Sequence, residues 1–582
     1  MTKNTLPKWD LSDLYKSITA PELQDDIKNL QTQANEFANN YKGKQVTEKS
    51  IQDYEAIREL TDKIISYAQL QFATQRDNEQ ITKFYQDTNE LINKIESITL
   101  FFTLSINKLS DGEYYQLLTN LSIAKYKTWL DGNRVFKAHQ LDEATEVYSN
   151  EKSITSNNAW VNLFDKTMAS LRFNYDAKQL TEAEIFNKYA DKNAATRQKA
   201  AQSLIITFGD NIELFTHITN SLAKDKAIED SFRKLPNSIS ARNKINFIED
   251  EVVDNLISTV KANYKNLSHR YYKLKAKWLG KAQLDFWDRN APLPQEDDTY
   301  IEYDQAVDLV LNAYNKFSPT IADIGKKFFD NAWVDVPPYK GKDSGAFAHP
   351  TATTAHPYLL LNYQGKIRDV MTLAHELGHG VHQYLSRSQG ALMADTPLTL
   401  AETASVFGEQ LTFRAILDNA TPANKKAIIA NKVEDMLNTV VRQIAFCEFE
   451  TQLHNIRKQG ELSSGDINKI WLSTQSDALG DAIKLNNGYQ YFWCYIPHFI
   501  HTPFYVYAYA FGDCLVNSLY SRYLQGIEGF EDKYINMLKA GGSLHHKELL
   551  APFNINITST DFWQDGLNMI SGFIDELENL PN

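Results

Sequence analysis

Residues 371–385, MTLAHELGHGVHQYL, constrain this chain more than any other stretch. They read as a helix, yet Gly378 and Gly380 lie inside it. Each glycine costs about 0.8–1.0 kcal/mol against alanine in a helix interior. Three histidines, His375, His379 and His382, fall on or near one face. A helix built only to fill a core would not be written this way. The cost is met if another element, or a bound molecule, must come close to the helix; plain helix–helix packing accounts for the glycines as well.

Helical periodicity dominates the remaining chain. Leu23, Ile27, Leu30, Ala34, Phe37 and Tyr41 form one apolar stripe, with Pro21 near the start, where a missing N–H costs little. Val252, Leu256, Val260, Tyr264, Leu267 and Tyr271 predict a second long helix. The strand signals are LRFNY (171–175) and YLLLNY (358–363). NAPLPQEDDT, from Asn290, and the Pro/Gly-rich residues 336–357 read as loops. A mainly α fold with a few short strands is expected. Its division is placed near Asp191: a helical domain over 1–190 and a catalytic domain over 191–582.

With 582 residues, 43% of them hydrophobic, the chain can bury a large core. Its net charge of −13 argues against nucleic acid or an anionic membrane as the main partner, since both need a basic face. Three cysteines, Cys447, Cys494 and Cys514, make no disulfide framework. The start, MTKNTLPKWDLSDLY, lacks the basic-then-apolar pattern of a signal peptide, and ITLFFTLSI (98–106) is well short of the ~20 residues of a spanning helix. A cytoplasmic location is expected.

His375, Glu376 and His379 spell HExxH. Two histidines one helical turn apart can share one ion, and the glutamate between them can reach a water on it. Chance supplies only about 0.02 such matches in a chain of this composition, and the motif sits in the helical context it requires. His382 returns to the same face, but the rise from His375 is roughly 10 Å, so it reads as support or packing. A catalytic zinc takes three protein ligands. The extended motif with a third histidine fails, because Leu385 stands where that histidine would be. A glutamate on a later helix remains: Glu402 among apolar neighbours, or Glu409 two turns on, which reads as supporting or surface. Glu402 also fits a capping box opened by Thr399.

At these residues the chain resembles the zinc peptidases of the thimet oligopeptidase and oligoendopeptidase F type, and most of all the oligoendopeptidase F branch. The likeness runs in order through WDLSDLY (9–15), GAF (345–347), PYLLLNY, TLAHELGHGVH, LAETAS (400–405), IPHFIHTPFYVYAYAFG (496–512), LKAGGS (538–543) and DFWQDGL. One local departure is LHHKELL after LKAGGS, where His545 and His546 are assigned no role. The resemblance implies a large helical zincin-type metallopeptidase with a deep substrate channel and one Zn2+ per chain. It assigns His375, His379 and Glu402 to the metal and Glu376 to catalysis. It makes YLLLNY an edge-strand rail for substrate, with Gly345, Ala346 and Leu360 in contact.

The aromatic segment 496–512 offers His498, His501, Tyr505, Tyr507 and Tyr509. On their own these read as core aromatics in a chain with 30 tyrosines. The resemblance raises His498 and Tyr505 to substrate or transition-state contacts with Tyr507 behind them; His501 rivals His498, and Tyr507 rivals Tyr505. The expected activity is endopeptidase hydrolysis of short oligopeptides by a zinc-activated water, with Glu376 as general base. The alternatives are a metallo-exopeptidase on the same helix and a peptide-binding protein without turnover. The expected partners are short peptides, with neither nucleic acid nor membrane, for a monomer or small homo-oligomer.

Overall fold

The computed structural model describes residues 6–293 and 300–580. The chain divides into two compact units, each assembled from separate stretches. The first comprises Met1–Glu143, Asp298–Asp418 and Arg522–Asn556; the second comprises Ala144–Asp297, Asn419–Ser521 and Ile557–Asn582. The boundary expected near Asp191 lies inside the second unit and coincides with neither edge. Helices dominate, as expected of a mainly α chain. No helix among the described residues is long and apolar enough to cross a membrane.

The first unit opens with three long helices, Pro21–Tyr41, Glu48–Thr74 and Glu79–Lys108, packed on one another. The predicted stripe is the buried face of the first: Leu23, Leu30, Ala34 and Phe37 are almost fully excluded from solvent. Each such leucine or phenylalanine contributes about 1.5–3 kcal/mol of burial free energy. Helices Tyr303–Phe317 and Pro319–Asp330 pack against the HExxH helix, which spans Ile367–Ser386.

The strands are short: β1 (Phe173–Tyr175), β2 (Lys178–Leu180), β3 (Leu284–Asp285), β4 (Val334–Asp335), β5 (Phe347–His349), β6 (Tyr358–Leu360) and β7 (Ile483–Lys484). In the first unit β6 lies between β4, which it pairs in parallel, and β5, which it pairs antiparallel. This corrects the rail assigned to YLLLNY. Both edges of β6 are taken and Tyr358, Leu359 and Leu360 are fully buried, so Leu360 cannot meet substrate by edge pairing. The edge strands are β4 and β5; β5 lies inside residues 336–357, which sequence patterning assigns to loop, and its Ala348 carbonyl accepts from Gln383 Nε2 of the HExxH helix at 3.4 Å.

In the second unit LRFNY supplies β1, which turns back on β2 through Asp176 and Ala177 at positive φ. The single long helix predicted over 252–271 is instead two, Asp250–Asn263 and Ser268–Trp278. The apolar spacing continues through the break, because Tyr264 and Leu267 stay buried in the turn. Most of the loop at NAPLPQEDDT, residues 294–299, lies outside the described residues.

Candidate metal centre and active site

The two glycines of the HExxH helix have distinct neighbours. A Cβ at Gly378 would lie 2.5 Å from the carbonyl oxygen of Ala404 and 2.6 Å from Cα of Ser405. One at Gly380 would lie 2.7 Å from Cζ of Phe328 and 3.1 Å from Leu359 on β6. Gly378 therefore lets the backbone of residues 404–405 come against the helix, beside the turn that carries Glu402. One turn earlier the Tyr314 hydroxyl donates to the carbonyl of Ala374, 2.6 Å away, just before His375.

Glu402 ends the short helix Leu398–Ala401, and the chain turns through 402–404 before the next helix, Ser405–Asn419. No side chain caps the start of the short helix, whose N-cap is Pro397, so the Thr399 capping box does not form. The turn is held by the Tyr534 hydroxyl, donating to Thr403 O at 2.7 Å, and by the Ser405 hydroxyl, donating to Glu402 Oε2 at 2.7 Å.

This turn brings Glu402 to the two motif histidines. His375 Nε2 and His379 Nε2 are 3.2 Å apart, and each is 3.5 Å from Glu402 Oε2. One ligand atom from each of the three residues lies within 4.8 Å of the others. His382 stays outside this group. It is 5% exposed, its Nε2 lies 3.2 Å from the Thr396 hydroxyl, and burial drives its pKa down to about 4.

Glu409 has a defined place. Its Oε1 is 2.6 Å from His375 Nδ1. A proton on Nδ1 shared with this carboxylate leaves the Nε2 lone pair facing the centre, the tautomer a metal needs. Burial opposes a charge on His375, but the Glu409 hydrogen bond and the charges of Glu409, Glu402 and Glu376 outweigh it and raise its pKa to about 9. A cluster that holds a proton this firmly also favours a cation. Burial takes His379 the other way, to about 4, so its imidazole is neutral and able to ligate. Two imidazoles and a carboxylate fit zinc in kind and number.

Glu376 is 7% exposed. Burial raises its pKa to about 7; His375 opposes the shift, Glu402 and Glu409 add to it, and a hydrogen bond from the Ala348 backbone lowers it. Ala348 is the middle residue of edge strand β5, so that strand sits beside the glutamate. Gly345 and Ala346 lead into the strand, with Gly345 exposed.

The second unit holds the aromatic segment. His498 begins the short helix His498–His501. Its ring lies 6.0 Å from that of Tyr505, nearly parallel, and its Nε2 is 3.2 Å from the Tyr509 hydroxyl. Tyr505 and Tyr509 pack edge to face at 5.1 Å. His501 turns away to Asp165, 2.7 Å from its Nε2. This separates the two histidines. Tyr507 is fully buried, and its hydroxyl accepts from Asn246 Nδ2 at 2.7 Å. Burial removes Tyr507 as a rival of Tyr505 for substrate contact and as a catalytic group; it is a core residue behind the segment. Tyr509 is the partner that patterning could not single out.

The pattern of peptidase family M3 matches residues 188–569, and that of oligopeptidase F matches residues 105–173. This chain belongs to peptidase family M3. The M3 chain is 28% identical to oligopeptidase PepF of Bacillus subtilis (strain 168), over 98% of its own length and 87% of the relative's. It is 27% identical to the group B oligopeptidase PepB of Streptococcus agalactiae, over 89% of this chain and 87% of the other. The solved structure of oligoendopeptidase-F from Enterococcus faecium superposes with a TM-score of 0.72 at 20% identity, covering 96% of this chain and 97% of that one. The M3 fold and the metalloendopeptidase class expected from the sequence both hold.

Proposed function

We propose that this M3 metallo-oligopeptidase is a zinc-dependent endopeptidase that cuts internal bonds of short oligopeptides. The observation that carries this is the convergence of His375 Nε2, His379 Nε2 and Glu402 Oε2, with Glu409 Oε1 2.6 Å from His375 Nδ1. These three residues would hold one Zn2+, which when bound acidifies water and polarises a carbonyl.

Glu376 does the proton work. With a pKa brought to about 7, it takes a proton from the attacking water and returns it to the leaving amine at neutral pH. A peptide runs along the outer side of β5, next to Gly345 and Ala346, with its scissile bond beside Glu376; to pair with Ala348 it displaces the bonds that this residue's N–H makes to Glu376 and that its carbonyl accepts from Gln383 Nε2. Tyr505 and His498 are assigned, on the family resemblance, to hydrogen bonds with the substrate's carbonyl oxygen; their ring contact supports treating them as one group.

The test is zinc per chain, together with cleavage of quenched fluorescent peptides and mass spectrometry of the products. Internal cuts in short peptides, lost in Glu376→Gln with zinc retained, are expected. Release of terminal residues alone would replace this reading with an exopeptidase. Peptide binding without cleavage by zinc-loaded protein would make it a binding protein.

A further inference from the structure

Residues 502–506 join the short His498–His501 helix to the helix that starts at Tyr507, and they carry Tyr505. Phe504, just before it, has φ 61°. A bulky side chain rarely adopts this left-handed conformation, and when one does the surroundings hold it there. Here the Phe504 N–H donates to Glu450 Oε1 at 2.8 Å in a fully buried setting. Glu450 lies on the helix Val441–Arg457, and one turn along it the His454 ring packs on the Phe504 ring at 5.1 Å. Arg242 Nε donates to the Pro503 carbonyl at 3.3 Å, and Asn246 holds the Tyr507 hydroxyl. The peptide that leads into the strained residue is thus held from both sides, its carbonyl by Arg242 and its N–H by Glu450, while the Tyr505 N–H closes the turn onto Thr502 O at 3.1 Å.

We propose that Glu450 is a positioning residue for Tyr505: by accepting the Phe504 N–H it holds the left-handed turn that keeps the Tyr505 ring in place against His498 and Tyr509. The proposal rests on the reading of Tyr505 as a substrate contact. Burial pushes the Glu450 pKa up to about 8, against the Phe504 hydrogen bond and the charges of Arg242 and Lys226. The carboxyl is therefore neutral at pH 7, and glutamine, which keeps the accepting oxygen, is the fitting conservative replacement.

The experiment uses the full-length, zinc-loaded chain with 3-fluorotyrosine placed at position 505. Fluorine NMR reads the ring's setting, and kcat and KM are measured on a short quenched peptide. Glu450→Met removes the acceptor at similar length. It should shift or split the fluorine line and lower kcat by up to about 10²-fold, the cost of a catalytic group displaced by about 1 Å. KM should stay within about twofold, since ground-state binding is untouched. Glu450→Gln should restore both the line and kcat. In a Tyr505→Phe background, Glu450→Met should cost nothing more. Should the methionine variant fail to fold, Glu450→Asp keeps the carboxyl but shortens its reach, and the same changes are expected in smaller measure. A wild-type line and kcat in either variant would overturn the proposal. If Tyr505→Phe keeps wild-type kcat, the substrate-contact reading of Tyr505 fails, and the fluorine line still decides the role of Glu450.

Discussion

Gly378→Ala tests whether the glycines of the HExxH helix exist for the metal centre. The added Cβ would meet Ala404 O at 2.5 Å, where ordinary contact begins at 3.4 Å. Relieving this requires a shift of about 0.9 Å between two stretches of backbone, beyond the ~0.5 Å within which a constellation must be held. Alanine's helix propensity returns about 1 kcal/mol, while overpacking of this kind costs about 1–3 kcal/mol. Net destabilisation is therefore modest, on the order of 1 kcal/mol. Function should suffer far more, because Glu402 stands two residues before Ala404. Zinc affinity, read by competition with a chelator, should fall about 10–100-fold, as for loss of a group that orients a ligand. The control is Gly572→Ala, at an exposed position in the helix Thr560–Asn579 where a Cβ meets nothing within 4 Å. It should stabilise the protein by about 0.4–1 kcal/mol and leave zinc unchanged. Wild-type zinc affinity and turnover in Gly378→Ala would refute the argument and reduce Gly378 to ordinary helix packing.

Further outcomes are expected. Glu402→Ala should lose zinc and activity together, as measured by metal content after dialysis, since a three-ligand site cannot spare one. Glu376→Gln should keep zinc while turnover falls at least ~10²-fold, measured on a quenched peptide. Tyr505→Phe should lower kcat on the order of 10²-fold with zinc unchanged, as for one lost oxyanion donor, whereas Tyr507→Phe should mainly lower the melting temperature. Glu450 gives a pH signature. Its folded-state pKa, about 8, lies above the ordinary 4.5, so the stability tied to its protonated form is complete below about pH 4.5 and is lost as pH rises through 8. The melting temperature of Glu450→Gln relative to wild type should rise between pH 5 and pH 8; a constant difference would show that Glu450 is ionised throughout.

The HExxH helix was legible because its pattern is local: three residues within about one turn, at a spacing that helix geometry alone converts into a shared face. The stripe of Pro21–Tyr41 was legible for the same reason. Glu402 was open between ligand and cap; the short helix is not capped by Thr399, and it is the long-range approach of Glu402 Oε2 to 3.5 Å from each motif histidine that favours the ligand reading. That approach does not follow from a spacing of 23 residues along the chain. Which strand lies at an edge is a matter of pairing order, and pairing order is decided by contacts among segments far apart in sequence; hence YLLLNY, the better strand by composition, is the buried centre of its sheet, and the unpromising residues 347–349 are one of its edges. The same holds for the aromatic segment. Five candidates of one kind lay within twelve residues, and only the tertiary partners, Asp165 for His501 and Asn246 for Tyr507, separate them from His498, Tyr505 and Tyr509. Sequence by itself determined which chemistry the HExxH helix can carry, because periodicity fixes what one helix presents. Tertiary structure decided what meets that helix, because a turn, a sheet edge or a hydrogen bond to Glu450 exists only once distant parts of the chain are packed together.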